Sequence, residues 1–204
     1  MILNDYILKI NPSILHDAQI EATLIGKCAT ISALQVLRIF GIEISAEEVK
    51  EGVQDDDINA NQVNMAVFMS SFLNITYCVN YDLEEEIDKA ENGVESLIDQ
   101  SELKVFKKLL GRNINFQITP PLNQLIDTLN QDMTVSQFNF REPSALINHF
   151  AVLQKVTNNK LRFAQRECEP GNEYIDVDEF LTWWNLSGAP NDPHELVILY
   201  SRKI

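Results

Sequence analysis

Residues 28–41 read CATISALQVLRIFG, and residues 149–153 read HFAVL. The first stretch carries apolar residues at three- and four-residue spacing, which predicts a helix that begins at Cys28 and ends at Gly41. The second is a short run of aromatic and aliphatic residues, which predicts a strand that begins at His149. The sequence therefore places one thiol at a helix start and one imidazole at a strand start.

This pairing predicts a cysteine-dependent site. A thiolate is a much better nucleophile than a thiol, and the partial positive charge at a helix N-terminus favours the thiolate. An imidazole supplied by a distant part of the chain can complete an ion pair with it. Cys28 and His149 are therefore the candidate nucleophile and the candidate general base.

The other patterns predict an α+β fold. A helix is expected to start at the Ser45 cap, where Ser45 and Glu48 match a capping box, and others are expected at 61–73 and along the charged segment 83–112. Later helices are expected at 122–130 and 176–185. Strands are expected at 75–79, 133–138, 149–156, 161–165 and 195–201, with Asn158–Asn159 as a hairpin turn. We expect a single domain over 1–204, with a helical half at about 1–112 and a sheet half at about 113–204.

Composition narrows the class of partner. The chain has 204 residues, 45% of them hydrophobic, and a net charge of −14. Such a surface repels phosphate backbones and anionic lipid, so nucleic-acid binding is disfavoured and a cationic peptide or protein is favoured. The sequence shows no Sec-type signal and no apolar run of membrane-spanning length. We expect a cytoplasmic protein without membrane insertion, with signal-independent export left open.

Cofactors are not expected. The chain has an odd number of cysteines, Cys28, Cys78 and Cys168, and none of them are in a Cys-x-x-Cys spacing. This pattern predicts neither a disulfide framework nor a zinc site. The seven glycines are scattered, so no phosphate-binding loop is indicated.

The order of these features resembles a known family. Along the chain, these features are the helix from Cys28 to Gly41, the segment 44–49 (ISAEEV), the segment 129–135 (LNQDMTV), the strand at His149 and the aromatic residues near 180–184. The same order is found in the papain-like peptidases that process double-glycine leader peptides of bacteriocins, and in their stand-alone relatives. The resemblance covers about residues 19–185 and is weakest over 83–112.

The resemblance implies a papain-like fold and a role for each site residue. Cys28 takes the nucleophile position and His149 the general-base position. The third residue of the family, usually Asp, falls sixteen residues after the histidine, where this chain has Gln165; its amide can orient an imidazole but adds no charge.

Around the cysteine the chain departs from the family pattern. The oxyanion-hole Gln of the family falls six residues before the cysteine, at Ala22 here, and Gln19 is the nearest upstream amide. Lys27 and Ala29 flank the cysteine where the family has Asp and Gly.

Two functions are compatible with these residues. One is a cysteine-dependent hydrolase or acyltransferase that acts on a peptide amide or thioester through an acyl-enzyme on Cys28; a toxin or effector could use the same pair. The alternative is a catalytically degenerate papain-like domain that binds a peptide or protein. Phe180 precedes Trp183–Trp184, of which we expect one ring in the core and the other partly exposed.

Overall fold

A computed structural model describes residues 1–54, 62–98, 103–104, 106–110, 112, 114–131, 133–141, 149–164, 174–185 and 196–203. The helices are α1 (Pro12–Thr23), α2 (Cys28–Ile39), α3 (Ala46–Val53), α4 (Gln62–Met69), α5 (Leu83–Glu91), α6 (Leu122–Gln131) and α7 (Val177–Asn185). The strands are β1 (Tyr6–Ile7), β2 (Leu73–Val79), β3 (Ile114–Ile118), β4 (Val135–Phe140), β5 (His149–Thr157), β6 (Lys160–Ala164), β7 (Ile175–Asp176) and β8 (Val197–Arg202).

The strands form one mixed sheet in the order β3-β2-β8-β4-β5-β6-β7. The short strand β1 is outside this order and pairs with Lys155 and Val156 of β5. Only the β2–β3 pair is parallel among the described strands. The fold is therefore α+β with a mostly antiparallel sheet, as the sequence predicted. Strands from both halves of the chain contribute to it.

Each face of the sheet is covered by its own hydrophobic core. Helices α1 to α5 pack on one face, in a core that includes Leu34, Leu37 and Phe150. Helices α6 and α7 pack on the other, in a core that includes Phe138 and Phe140. Successive residues of β4 and β5 point into opposite cores, because side chains alternate along a strand.

Several local signals are confirmed. Ser45 and Glu48 form the reciprocal capping box at the start of α3. Gly41 ends α2 with φ +74°, a conformation that glycine adopts without steric cost. Asn158 and Asn159 have φ 49° and 60°, as a tight hairpin turn between β5 and β6 requires.

Several expectations were wrong in detail. The helix that begins the charged segment 83–112 ends at Glu91, and the strand expected over 133–138 is Val135–Phe140. The helix expected over 61–73 ends at Met69, because Leu73 already begins a strand in the sheet. Trp183 and Trp184 are both buried, at 7% and 2% exposure, so neither ring is available at a rim. Both rings stack in an aromatic cluster with Phe140 and Phe180, which α7 brings onto the sheet.

No helix within the described residues is long and apolar enough to cross a membrane.

Buried Glu86 on α5 anchors the chain that follows its helix. Its carboxylate accepts hydrogen bonds from Lys89 Nζ at 2.7 Å, from the Leu97 N–H at 2.6 Å and from the Ser96 hydroxyl at 3.0 Å. These donors, the Lys89 ammonium above all, hold the pKa of Glu86 below its usual range. The carboxylate thereby ties residues 96–97 to α5.

We expect Glu86→Gln to lower the free energy of unfolding at pH 7 by roughly 1–3 kcal/mol, because hydrogen bonds to a buried charge are lost. The lowered pKa means that this contribution is present above the unfolded-state pKa of about 4.3 and is lost as the pH falls below it. Urea unfolding at pH 7 and pH 3.5 should show a difference from wild type that shrinks in acid. The exposed Glu84→Gln on the same helix is the control, and an equal loss in both variants would contradict the assignment.

Candidate active site

Cys28 is the first residue of α2 and is half-buried. The residue before it, Lys27, has extended backbone angles and supplies no side-chain cap. Helices α1, α3 and α5 differ, because Asn11, Ser45 and Asp82 each accept a backbone N–H at their own helix start. The positive end of the α2 dipole is therefore not compensated by an N-cap side chain next to the thiol.

The direction of α2 over the sheet follows from contacts at both of its ends. Near its start, Ser32 receives a hydrogen bond from Gln137 of β4. At its end, Ile39 lines a cavity of about 130 Å³ together with Val135, the first residue of β4. The helix thus runs opposite to β4, and its start points toward the end of β4. Because Cys28 lies about 6 Å along the axis before Ser32, we expect it to lie toward the end of β4.

His149 lies at this same end of the sheet. It is half-buried, begins β5 and pairs with Phe140, the last residue of β4. Its neighbour Phe150 packs in the α2-side core, whereas the His149 ring lies beside Phe140, with ring centroids 6.4 Å apart. The His149 ring therefore lies on the same face of the sheet as Phe140, whereas α2 packs against β5 from the other face.

A buried polar chain ends at Cys28, and the sequence analysis missed it. The Tyr200 hydroxyl donates to Gln137 Oε1, and Gln137 Nε2 donates to Ser32 Oγ. The Ser32 hydroxyl then donates to the Cys28 carbonyl at 2.8 Å. Tyr200, Gln137 and Ser32 are 0–1% exposed. The available signal was a Ser four residues after the cysteine, with Gln and Tyr inside apolar strands.

The upstream candidates lie on α1. Ala22 is fully buried in the core, and its carbonyl accepts hydrogen bonds from the N–H groups of Ile25 and Gly26, at 3.1 and 2.9 Å. Gln19 is half-buried and lines a shallow cavity of about 370 Å³ with His16, Ile20, Thr23 and Leu24. Gln165, expected to orient His149, lies outside the described residues, which end β6 at Ala164.

Gly26 allows the tight connection between α1 and α2. A Cβ at this position would lie 2.4 Å from Thr30 Cβ, far inside van der Waals contact. Thr30 is fully buried in the first turn of α2, so it has no space to move away. Any larger residue at 26 must therefore displace the helix start that carries Cys28.

No protein-family model matches this chain, and no curated protein matches it in a sequence search. The functional conclusion therefore depends on the geometry described above.

We expect Gly26→Ala to lower the free energy of unfolding by roughly 1–3 kcal/mol through overpacking, and to change the rate at which iodoacetamide alkylates Cys28. The matched control is Gly41→Ala at the other end of α2, where φ is +74° but no atom lies within 4 Å of the new Cβ. That variant should lose roughly 1–2 kcal/mol to backbone strain alone and leave Cys28 alkylation unchanged. Equal alkylation rates in the two variants would count against a steric effect on the helix start.

Proposed function

We propose that this protein is a cysteine-dependent acyl-transferring enzyme with a papain-like site, in which Cys28 is the nucleophile and His149 the general base. The observation that carries the proposal is the packing of α2 against β5. Helix α2 begins at Cys28, where Lys27 supplies no side-chain cap, and β5 begins at His149. A thiol at a helix start and an imidazole at an adjacent strand start are the parts of a thiolate–imidazolium pair.

In the proposed reaction, the Cys28 thiolate attacks the carbonyl carbon of a peptide amide or a thioester. A carbon–sulfur bond forms, the bond to the leaving amine or thiol breaks, and protonated His149 gives its proton to the leaving group. Neutral His149 then takes a proton from water, whose oxygen attacks the acyl-enzyme and expels the Cys28 thiolate. An amine in place of water makes the same site an acyltransferase.

The negative charge that develops on the substrate carbonyl oxygen determines which other groups assist the reaction. The oxyanion forms at the helix start, where backbone N–H groups are the candidate donors, and Gln19 on α1 is the nearest upstream side-chain amide in the sequence. Gln165 is the candidate to orient the imidazole. The net charge of −14 favours a cationic peptide or protein as the acyl donor or acceptor.

The decisive measurement is the pH dependence of iodoacetamide alkylation at each cysteine, mapped by mass spectrometry. Wild-type Cys28 should react with a midpoint near pH 6, well below the usual thiol pKa of about 8.5. In His149→Ala the midpoint should rise toward 8.5 and the rate at pH 6 should fall roughly tenfold, because the larger loss of thiolate is partly offset by its higher nucleophilicity. Thermal melting checks that the variant is folded.

Two controls accompany this experiment. Cys78 is fully buried and burial raises its pKa to about 12, so it should stay unlabelled in the folded protein. Thr157→Ala changes the opposite end of β5 and should leave the Cys28 profile unchanged. A wild-type midpoint near 8.5, or a profile that His149→Ala does not alter, would refute the proposed pair.

A second candidate, a peptide-binding domain, is favoured by one further observation. The cavity on α1 is bordered by Ile20 and Leu24, which are 57% and 87% exposed, and Leu24 lies four residues before Cys28. Exposed apolar side chains beside a cavity are typical of a docking surface. A peptide held there would extend toward the start of α2.

For this candidate we expect Ile20→Ser combined with Leu24→Ser to weaken binding of a fluorescein-labelled peptide of alternating Leu and Lys roughly tenfold, because apolar burial is lost. Fluorescence anisotropy measures the Kd. Ile118→Ser, at 60% exposure on β3, is the control for loss of an exposed apolar residue. Equal affinities in the double variant and the control would exclude the α1 surface as the docking site.

A further inference from the structure

The polar chain from Tyr200 through Gln137 to Ser32 has one consistent arrangement of protons. Burial raises the pKa of Tyr200 well above its usual value, so its hydroxyl keeps its proton and donates to Gln137 Oε1. The Gln137 amide then presents Nε2 to Ser32 Oγ. The Ser32 proton is left to bond the Cys28 carbonyl at 2.8 Å, with the Ala29 carbonyl at 3.2 Å as a second acceptor. Each hydrogen bond of this polar chain is therefore donated in the same direction, from β8 toward the start of α2.

These hydrogen bonds constrain α2 in a way that its apolar contacts do not. Among the other buried residues of α2, Ala33, Leu34 and Leu37 lie in the core, and Gln35 donates a hydrogen bond to the Leu15 carbonyl of α1 at 3.1 Å. Apolar packing is non-directional and tolerates small slides along the helix axis. A hydrogen bond weakens steeply outside its distance and angle limits, and a buried polar group that loses its partner costs roughly 1–3 kcal/mol. Gln35 fixes the helix against α1, and the polar chain fixes its first turn against β4 and β8.

We propose that Ser32, Gln137 and Tyr200 are positioning residues that hold Cys28 in register with the end of the sheet where His149 lies. They act through the backbone of Cys28 and touch no substrate. The inference deepens the proposed function, since it names the groups that align the thiol with the imidazole. A shift of the helix start by about 1 Å is enough to impair a catalytic pair.

The test compares substitutions on the two faces of β4. Gln137→Met keeps the size of the side chain and removes both hydrogen bonds, whereas Ser136→Ala alters the preceding residue, which is equally buried and points to the other face. Ser136 Oγ receives no hydrogen bond from the described residues, so its loss breaks no such bond. We expect Gln137→Met to raise the midpoint of Cys28 alkylation by at least half a pH unit and to slow the reaction at pH 6 at least threefold, with Ser136→Ala unchanged.

Two further measurements keep the outcome interpretable. Tyr200→Phe removes one oxygen atom and should shift the same profile in the same direction if Gln137→Met does not fold. Amide hydrogen exchange of residues 28–32 reports the placement of the helix start whether or not Cys28 is a thiolate. Exchange there should be at least fivefold faster in Gln137→Met than in Ser136→Ala, after correction for global stability measured in urea.

The outcomes separate the two proposals. A wild-type midpoint near 8.5 together with faster exchange in Gln137→Met would refute the thiolate pair and retain the positioning role. Equal profiles and equal exchange in Gln137→Met and Ser136→Ala would overturn the positioning role, whatever the wild-type midpoint.

Discussion

Burial of α2 is the constraint on which the rest of this structure depends. The helix lies between α1, α3 and the sheet, where it packs against β5. Leu34, Val36 and Leu37 are fully buried and together contribute about 5–9 kcal/mol by removal of apolar surface from water. A helix held this firmly can present its first residue at a defined place, which is the requirement for a catalytic thiol.

The buried polar chain adds direction to this packing. Apolar surface can be buried in several nearly equivalent arrangements, but the Tyr200–Gln137–Ser32 chain is satisfied in one of them. It connects β8, β4 and α2, three elements that are far apart in sequence. Gly26 acts in the same region by allowing close approach to Thr30. The position of Cys28 is thus determined from both sides of the helix start.

The proposed site differs from that of the family that the sequence resembles, and the differences have physical consequences. Ala22 occupies the upstream position where the family has a Gln, and its burial leaves no polar group there. Gln19 projects from the middle of α1 toward a surface cavity lined by Ile20 and Leu24. An acyl-transfer reaction here would rely on backbone N–H groups at the helix start more than on a side-chain donor.

Local patterns predicted those elements whose signals are complete within a few residues. The helix start at Cys28, the strand start at His149, the capping box of Ser45 and the Asn158–Asn159 turn all depend on neighbouring residues, and all are observed. The end of α4 was misplaced because Leu73 pairs with Arg202, a partner 129 positions away. The prediction of one partly exposed tryptophan ring was wrong, because the aromatic cluster that buries both rings is formed by residues of separate elements.

By itself, then, the sequence determined the α+β class, the boundaries of its best-capped elements and the two residues worth testing as a nucleophile and a base. Tertiary structure alone decided the strand order, the direction of α2 over β4 and the polar chain that ends at Cys28. Periodicity and capping are short-range properties that a single segment encodes. Strand partners, the face on which a helix packs and the pairing of buried polar groups depend on contacts between distant segments, and these exist only once the chain has folded.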